Sequence, residues 1–311
     1  NHDGTSWSTQ TPSETNAWQS VCWSSRKDML VSVSSDGTNR VMTSTDAGTT
    51  WTARTHANDV QYANVIWTGE AFCAVAQTGT VAQQVMTSSD GLTWTARTAA
   101  VDGTWTSLGS SGSVVVAVAS SGHVMSSGDH GSTWTVRTAA AANSWQSVCY
   151  VGGTVDTFVA VSSDGTDRVM VSEDGGSTWT SVTVVPTKTW QQVRWIQPWE
   201  RVVLLAQDGT MLYADETQLD LWTDVVDPPN FTSTCLAFST QDTNLVVLGT
   251  DTVGTSNWVR GQGPRAEFGW DDSATVTTIA SANTWTALTP GTGWTSSTRR
   301  MTCSSNLQVT K

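Results

Sequence analysis

One phrase recurs four times with little change: STDAGTTW ending at Trp51, SSDGLTW at Trp94, SGDHGSTW at Trp134 and SEDGGSTW at Trp179. The tryptophans mark off units of 43, 40 and 45 residues. A period of that size means like supersecondary units stacked on one another, because one such unit cannot cover its own apolar face. The 311 residues are therefore read as one repeat domain rather than two average ones.

Within 18–55 the segments WQSVCW, MLVSV, RVMTS and TWTAR carry strand-forming residues, separated by the turn formers SSDGTN and TDAGT. This predicts four short antiparallel strands, A to D, in a hairpin series. The same cut applies to 62–98, 105–138, 145–183 and, with a degraded turn, 190–227. Four-stranded units of this length are propeller blades. Beyond Pro228 and Pro229 the repeat fades. A sixth unit is expected over 231–272, with its last strands in the irregular stretch around Trp270, and a seventh over 274–311, with TWTALTPGTG placed on strand B. Residues 1–17, which open on NHDGTSW, are expected to supply a strand around Trp7 that closes the ring and removes its open edges. The expected fold is all-β, a single propeller over 1–311 with seven four-stranded antiparallel blades, six or eight being the alternatives.

The repeated phrase resembles the Asp box, Ser-x-Asp-x-Gly-x-Thr-Trp, of the BNR/sialidase-type β-propellers. Asp46, Asp90, Asp129 and Asp174 occupy the carboxylate position, and Trp51, Trp94, Trp134 and Trp179 close the motif. A carboxylate there can accept hydrogen bonds from its own turn, and the closing indole can pack on a neighbouring strand. That makes the box a fold staple rather than a metal or substrate site. The resemblance implies a second consequence, that the boxes lie on the end opposite any active site. It also implies, for a sialidase, three arginines on the substrate carboxylate, a Tyr/Glu nucleophile, an Asp acid/base and an Arg-x-Pro motif. No proline here has Arg two positions before it, and of Tyr62, Tyr150 and Tyr213 the first two read as core residues of strand A. The photosystem-assembly propellers are similar as well, and that likeness implies docking of protein partners.

Four antiparallel strands place the D-to-A links and B-to-C loops on the face away from the boxes. Trp18, Trp105, Trp145 and Trp190 start their A strands there, near Asp36, Arg40, Asp164, Asp167 and Arg168 of the loops SSDGTNR and SSDGTDR. Aromatic rings beside carboxylates and guanidinium groups suit a sugar, so these nine residues are the candidate ligand site. The same tryptophans could instead wedge blades together. Arg54, Arg97 and Arg137, repeated near the ends of the D strands, read as solvated edge residues.

The net charge of −12 removes nucleic acid as a partner, since a phosphate backbone needs a basic face. No apolar run approaches the roughly 18 residues of a membrane-spanning helix. Cys22, Cys149 and Cys235 share one repeat position in separate units, so all five cysteines are expected to be unpaired. His2, His56, His123 and His130 show no metal-ligand spacing and read as surface or turn residues, and Glu267, Asp271 and Asp272 lack the spacing of a calcium loop. Neither cofactor nor metal is expected. The functional expectation is a non-catalytic binding module, extracellular or virion-associated, whose partner is a cell-surface carbohydrate or glycoprotein, or a protein. A glycoside hydrolase and a protein-docking assembly factor are the alternatives.

Overall fold

The computed structural model describes residues 9–152 and 155–224 in full, together with the backbone of 232–239, 244–250, 256–262 and 286–287. The first blade is β1 (Trp18–Ser24), β2 (Met29–Ser34), β3 (Val41–Ser44) and β4 (Thr52–Arg54). The second is β5 (Tyr62–Trp67), β6 (Phe72–Ala76), β7 (Val85–Ser88) and β8 (Thr95–Arg97). The third is β9 (Trp105–Ser110), β10 (Val115–Ala119), β11 (Val124–Ser127) and β12 (Thr135–Arg137). In the fourth come β13 (Trp145–Val151), β14 (Thr157–Ser162), β15 (Val169–Ser172) and β16 (Thr180–Ser181). In the fifth come β17 (Trp190–Ile196), β18 (Arg201–Ala206), β19 (Met211–Asp215) and β20 (Thr223–Asp224). Each is an antiparallel sheet in chain order, so the five units read from the sequence fold as expected.

A sixth sheet joins β21 (Thr232–Ser239), β22 (Asn244–Thr250), β23 (Ser256–Gln262) and β24 (Thr286–Ala287). Its fourth strand differs from the expectation. Val259 pairs with Ala287 and Arg260 with Thr286, so Thr286 and Ala287, placed above on strand B of a seventh unit, take the D-strand place that Thr52 and Ala53 take in the first blade. The sixth sheet therefore draws its fourth strand from beyond 272. The rest of the expected seventh unit, and the closing strand around Trp7, lie outside the described residues.

The A strands of successive blades contact one another, which places them innermost, while the D strands β4, β8 and β12 form the exposed rim. Strand B is covered on both faces: FCAVA and VVAVA are buried throughout, which is why they are unbroken apolar runs rather than alternating ones. Among the described residues each hydrophobic cluster draws on two blades. One unites Val31 and Val33 with Tyr62 and Phe72, another Val116 and Val118 with Trp145 and Phe158. The core thus lies between blades, not within them.

A β-bulge recurs near the start of each A strand, between Trp18 and Ser20, Tyr62 and Asn64, Trp145 and Ser147, and Trp190 and Gln192. The residue after the bulge reaches across to the next blade. The N–H of Val65 donates to Ser20 Oγ at 3.2 Å, Leu108 to Asn64 Oδ1 at 3.1 Å, and Val148 to Ser107 Oγ at 3.1 Å. Val193 donates to Ser147 Oγ at 3.3 Å and Leu236 to Gln192 Oε1 at 2.7 Å. Strand A is the edge of its sheet, and in each case a side chain of the preceding blade accepts an N–H from that edge.

Candidate functional site

On one end of the blades the repeated turns satisfy themselves. Asp46 Oδ1 accepts from the Ser44 hydroxyl and the Thr50 N–H, both at 2.8 Å, and Oδ2 from the Thr50 hydroxyl at 2.6 Å. Asp129 and Asp174 repeat this with Thr133 and Thr178, and Asp90 takes the N–H groups of Leu92 and Thr93. These bonds hold the Asp46 carboxyl at about 2, the Thr50 hydroxyl contributing most. The indole N–H groups of Trp51, Trp134 and Trp179 donate to the carbonyls of Gly48, Gly131 and Gly176. Trp94 closes a turn one residue shorter, and its buried indole N–H has no acceptor among the described residues. Gly131, at φ 88°, leaves no room for a Cβ, which would stand 2.6 Å from Cys73 Sγ of the preceding blade. All four carboxylates are thus committed to their own turns.

The opposite end carries two copies of one clasp. In the first blade the Asp36 carboxylate accepts the Ala17 N–H, and Asn16 Nδ2 donates to Ser34 Oγ and to the Asn39 carbonyl. In the fourth, Asp164 accepts the Ser144 N–H at 2.6 Å, while Asn143 Nδ2 donates to Ser162 Oγ and the Asp167 carbonyl. Arg40 and Arg168 each donate from Nε to a carbonyl in their own loop, that of Gly37 or Gly165. The first clasp is then closed by charge. Glu14 accepts from the Asn39 side chain and backbone, which lowers its pKa, and Arg40 Nη2 lies 2.6 Å from Asp59 Oδ1. His56 is half-buried rather than a free surface residue: its Nδ1 accepts the Arg40 N–H, and burial first, then Arg40, lowers its pKa.

The candidate tryptophans take a different place from the one a ligand platform requires. Trp105, Trp145 and Trp190 are each 0% exposed, and they lie in the clusters between blades. A ring without accessible surface offers no face to a sugar, so these three are wedges. Trp18 is half-buried, with its indole N–H on the Glu14 carbonyl. What remains at the surface of this end is hydrogen-bonded amide and hydroxyl: Gln19 donates to Ser35 Oγ, and Gln146 to Ser144 and Ser163.

Sequence reasoning located Asp36, Arg40, Asp164, Asp167 and Arg168 in these loops but missed Glu14, Asn16, Asn143 and Asp59. The recurring NAW and NSW at 16–18 and 143–145 were the available signal. Arg54, Arg97 and Arg137 are not simply solvated, since each donates from Nε to a hydroxyl of strand C, on Thr43, Thr87 and Ser126 respectively. Among the described residues no group of three or more His, Cys, Asp or Glu side chains could hold a metal ion.

No family model matches the chain, and no curated protein does. Solved structures do. YCF48 bound to D1 peptide aligns with a TM-score of 0.62 at 16% identity, covering 88% of this chain and 81% of that one. YCF48 from Cyanidioschyzon merolae gives 0.62 at 14%, covering 88% and 84%. A streptogramin B lyase gives 0.64 at 8%, covering 79% of each chain, and the GH74 xyloglucanase from Xanthomonas campestris 0.62 at 14%, covering 88% of this chain and 45% of that one. At such identities the likeness carries the fold alone: the chain is a β-propeller of four-stranded antiparallel blades.

Proposed function

We propose that this protein is a non-catalytic docking propeller that holds an extended polypeptide across its loop face. The observation that carries the reading is the exchange of roles on that face. The indoles of Trp105, Trp145 and Trp190 are buried, and the accessible groups include amides, hydroxyls and charges held by hydrogen bonds, a surface suited to the polar backbone and side chains of a peptide. The peptide in the YCF48 complex is compatible with such a partner. Commitment of Asp36, Asp46, Asp90, Asp129, Asp164 and Asp174 to backbone and turn groups supports binding over catalysis. The setting attached to this reading is extracellular or virion-associated, on a composition rich in Ser and Thr and poor in Lys.

The test is selection of the intact protein against a displayed library of random linear peptides, with a glycan array and turnover of common glycosides in parallel. Enrichment of peptides that lose affinity when Gln146→Ala and Arg168→Ala are introduced supports the proposal. Glycan binding in place of peptide binding restores the carbohydrate reading, and turnover makes the protein an enzyme.

A further inference from the structure

The two clasps of the loop face share a plan and differ in how they end. Arg40 and Arg168 lie 22 residues before the first residue of the next A strand, Tyr62 or Trp190, and Asp59 and Thr187 lie three before it. Thr187 thus occupies in the fourth blade the register from which Asp59 neutralises Arg40 in the first. In the same way Ala141, two residues before Asn143, stands where Glu14 stands two before Asn16, and Asp167 stands where Asn39 does. Both closing carboxylates of the first clasp are absent from the fourth.

The open groups are consequently specific atoms. Arg168 uses Nε on the Gly165 carbonyl and Nη1 on the Ser163 carbonyl at 3.1 Å, and Nη2 has no acceptor among the described residues. The Asp167 carbonyl takes Asn143 Nδ2, whereas its carboxylate accepts nothing among them. Val184, in the register of His56, is 60% exposed. Held by two carbonyls, the guanidinium of Arg168 is already oriented, so a partner's carboxylate meets little ordering cost there. The first blade displays the fit internally, with a carboxylate oxygen 2.6 Å from Arg40 Nη2.

Building on the docking reading above, we infer that Asp167 and Arg168 form a dipolar subsite for an acidic residue of the docked polypeptide. The ligand's carboxylate takes the place on Arg168 that Asp59 takes on Arg40. An adjoining N–H or ammonium group of the ligand donates to Asp167, and an apolar neighbour covers Val184. A carboxylate in place of the Asn39 amide calls for a donor, which distinguishes this subsite from one for a plain anion.

The experiment uses the intact chain and peptides selected from the random linear library. The expected result is enrichment of Asp or Glu, with affinity falling at least about tenfold when the acid is changed to its amide. Arg168→Ala should give the same loss, and so should Thr187→Asp, which installs the missing carboxylate while leaving Arg168 and its backbone bonds in place. Arg137→Ala, on the outer rim, is expected to bind as the parent does. Selected peptides indifferent to Arg168→Ala and Thr187→Asp would overturn the subsite while leaving docking intact. An absence of peptide binding would overturn both, and an Arg168-dependent acidic glycan on the array would replace the polypeptide by a sugar acid.

Discussion

Ser107→Ala removes one oxygen atom from the third blade and isolates the contribution of the bonds that tie blades together. Ser107 is 4% exposed and Val148, whose N–H it accepts at 3.1 Å, is 0% exposed. The alanine keeps the Cβ and the strand geometry, so the main effect is a buried N–H deprived of this acceptor. Such a group costs about 1–3 kcal/mol, with no water path at this burial to soften it. Urea unfolding of the full chain should show a loss in that range. Because a repeat array can open in parts, the more direct readout is hydrogen exchange at the Val148 amide, which should accelerate by the matching factor of about 5–150. Ser147→Ala, one interface further on, should behave alike toward Val193, and the double variant should be nearly additive. Ser107→Asn places at this position the residue that Asn64 uses in the second blade, and should restore part of the loss. If Ser107→Ala stays within about 0.3 kcal/mol of the parent and exchange at Val148 is unchanged, the bond does not help to join the blades.

Acid should loosen the repeated turns. The Asp46 carboxyl sits at about 2 in the folded chain, below the unfolded value of about 3.9, so its contribution is complete above that value and disappears as pH falls toward 2. Asp46→Asn should flatten this part of the curve of melting temperature against pH. Ala47 and His130 adopt φ of 55° and 59° where the fourth blade has Gly175 at 71°. Ala47→Gly should therefore gain up to about 1 kcal/mol by relieving left-handed strain, measured by urea unfolding, and a loss would show the turn to be unstrained. Burial pushes the thiols of Cys73 and Cys149 up to about 12, and that of Cys22 upward too. Alkylation at pH 8 should be slow in the native protein and rapid in denaturant, and a prompt native reaction at any of the three would contradict their placement between blades.

The architecture was legible because it repeats. Trp51, Trp94, Trp134 and Trp179 fixed the period, and the turn formers between apolar runs fixed four strands per unit. The fourth strand of the sixth sheet, Thr286–Ala287, differs from the sequence reading because 23 residues separate it from β23 in the chain, and the spacing of the other units does not apply there. The site was legible by loop and not by role. Trp105, Trp145 and Trp190 begin their strands at the loop face, but only the packing of the preceding blade shows that their rings have no solvent to face. Charge pairing across loops, such as Arg40 with Asp59, joins residues from separate connections, and no single-sequence period reports it. Ser20 and Ser147 of the two WQSVC segments accept N–H groups 45 and 46 residues downstream, a pairing that no local pattern announces.

The five bonds from a backbone N–H of one A strand to a side chain of its neighbour run one way: the acceptor side chain belongs to the earlier blade and the donating N–H to the later. During synthesis the N-terminal blade leaves the ribosome first, and at about 5–20 residues per second each further unit takes seconds to appear, against microseconds for a hairpin to close. Every nascent blade therefore meets a finished template whose Ser, Asn or Gln is waiting for it. Assembly in the order of translation needs no later rearrangement of these bonds, whereas a circular permutant opened between β12 and β13 would present one of these N–H groups before its acceptor exists.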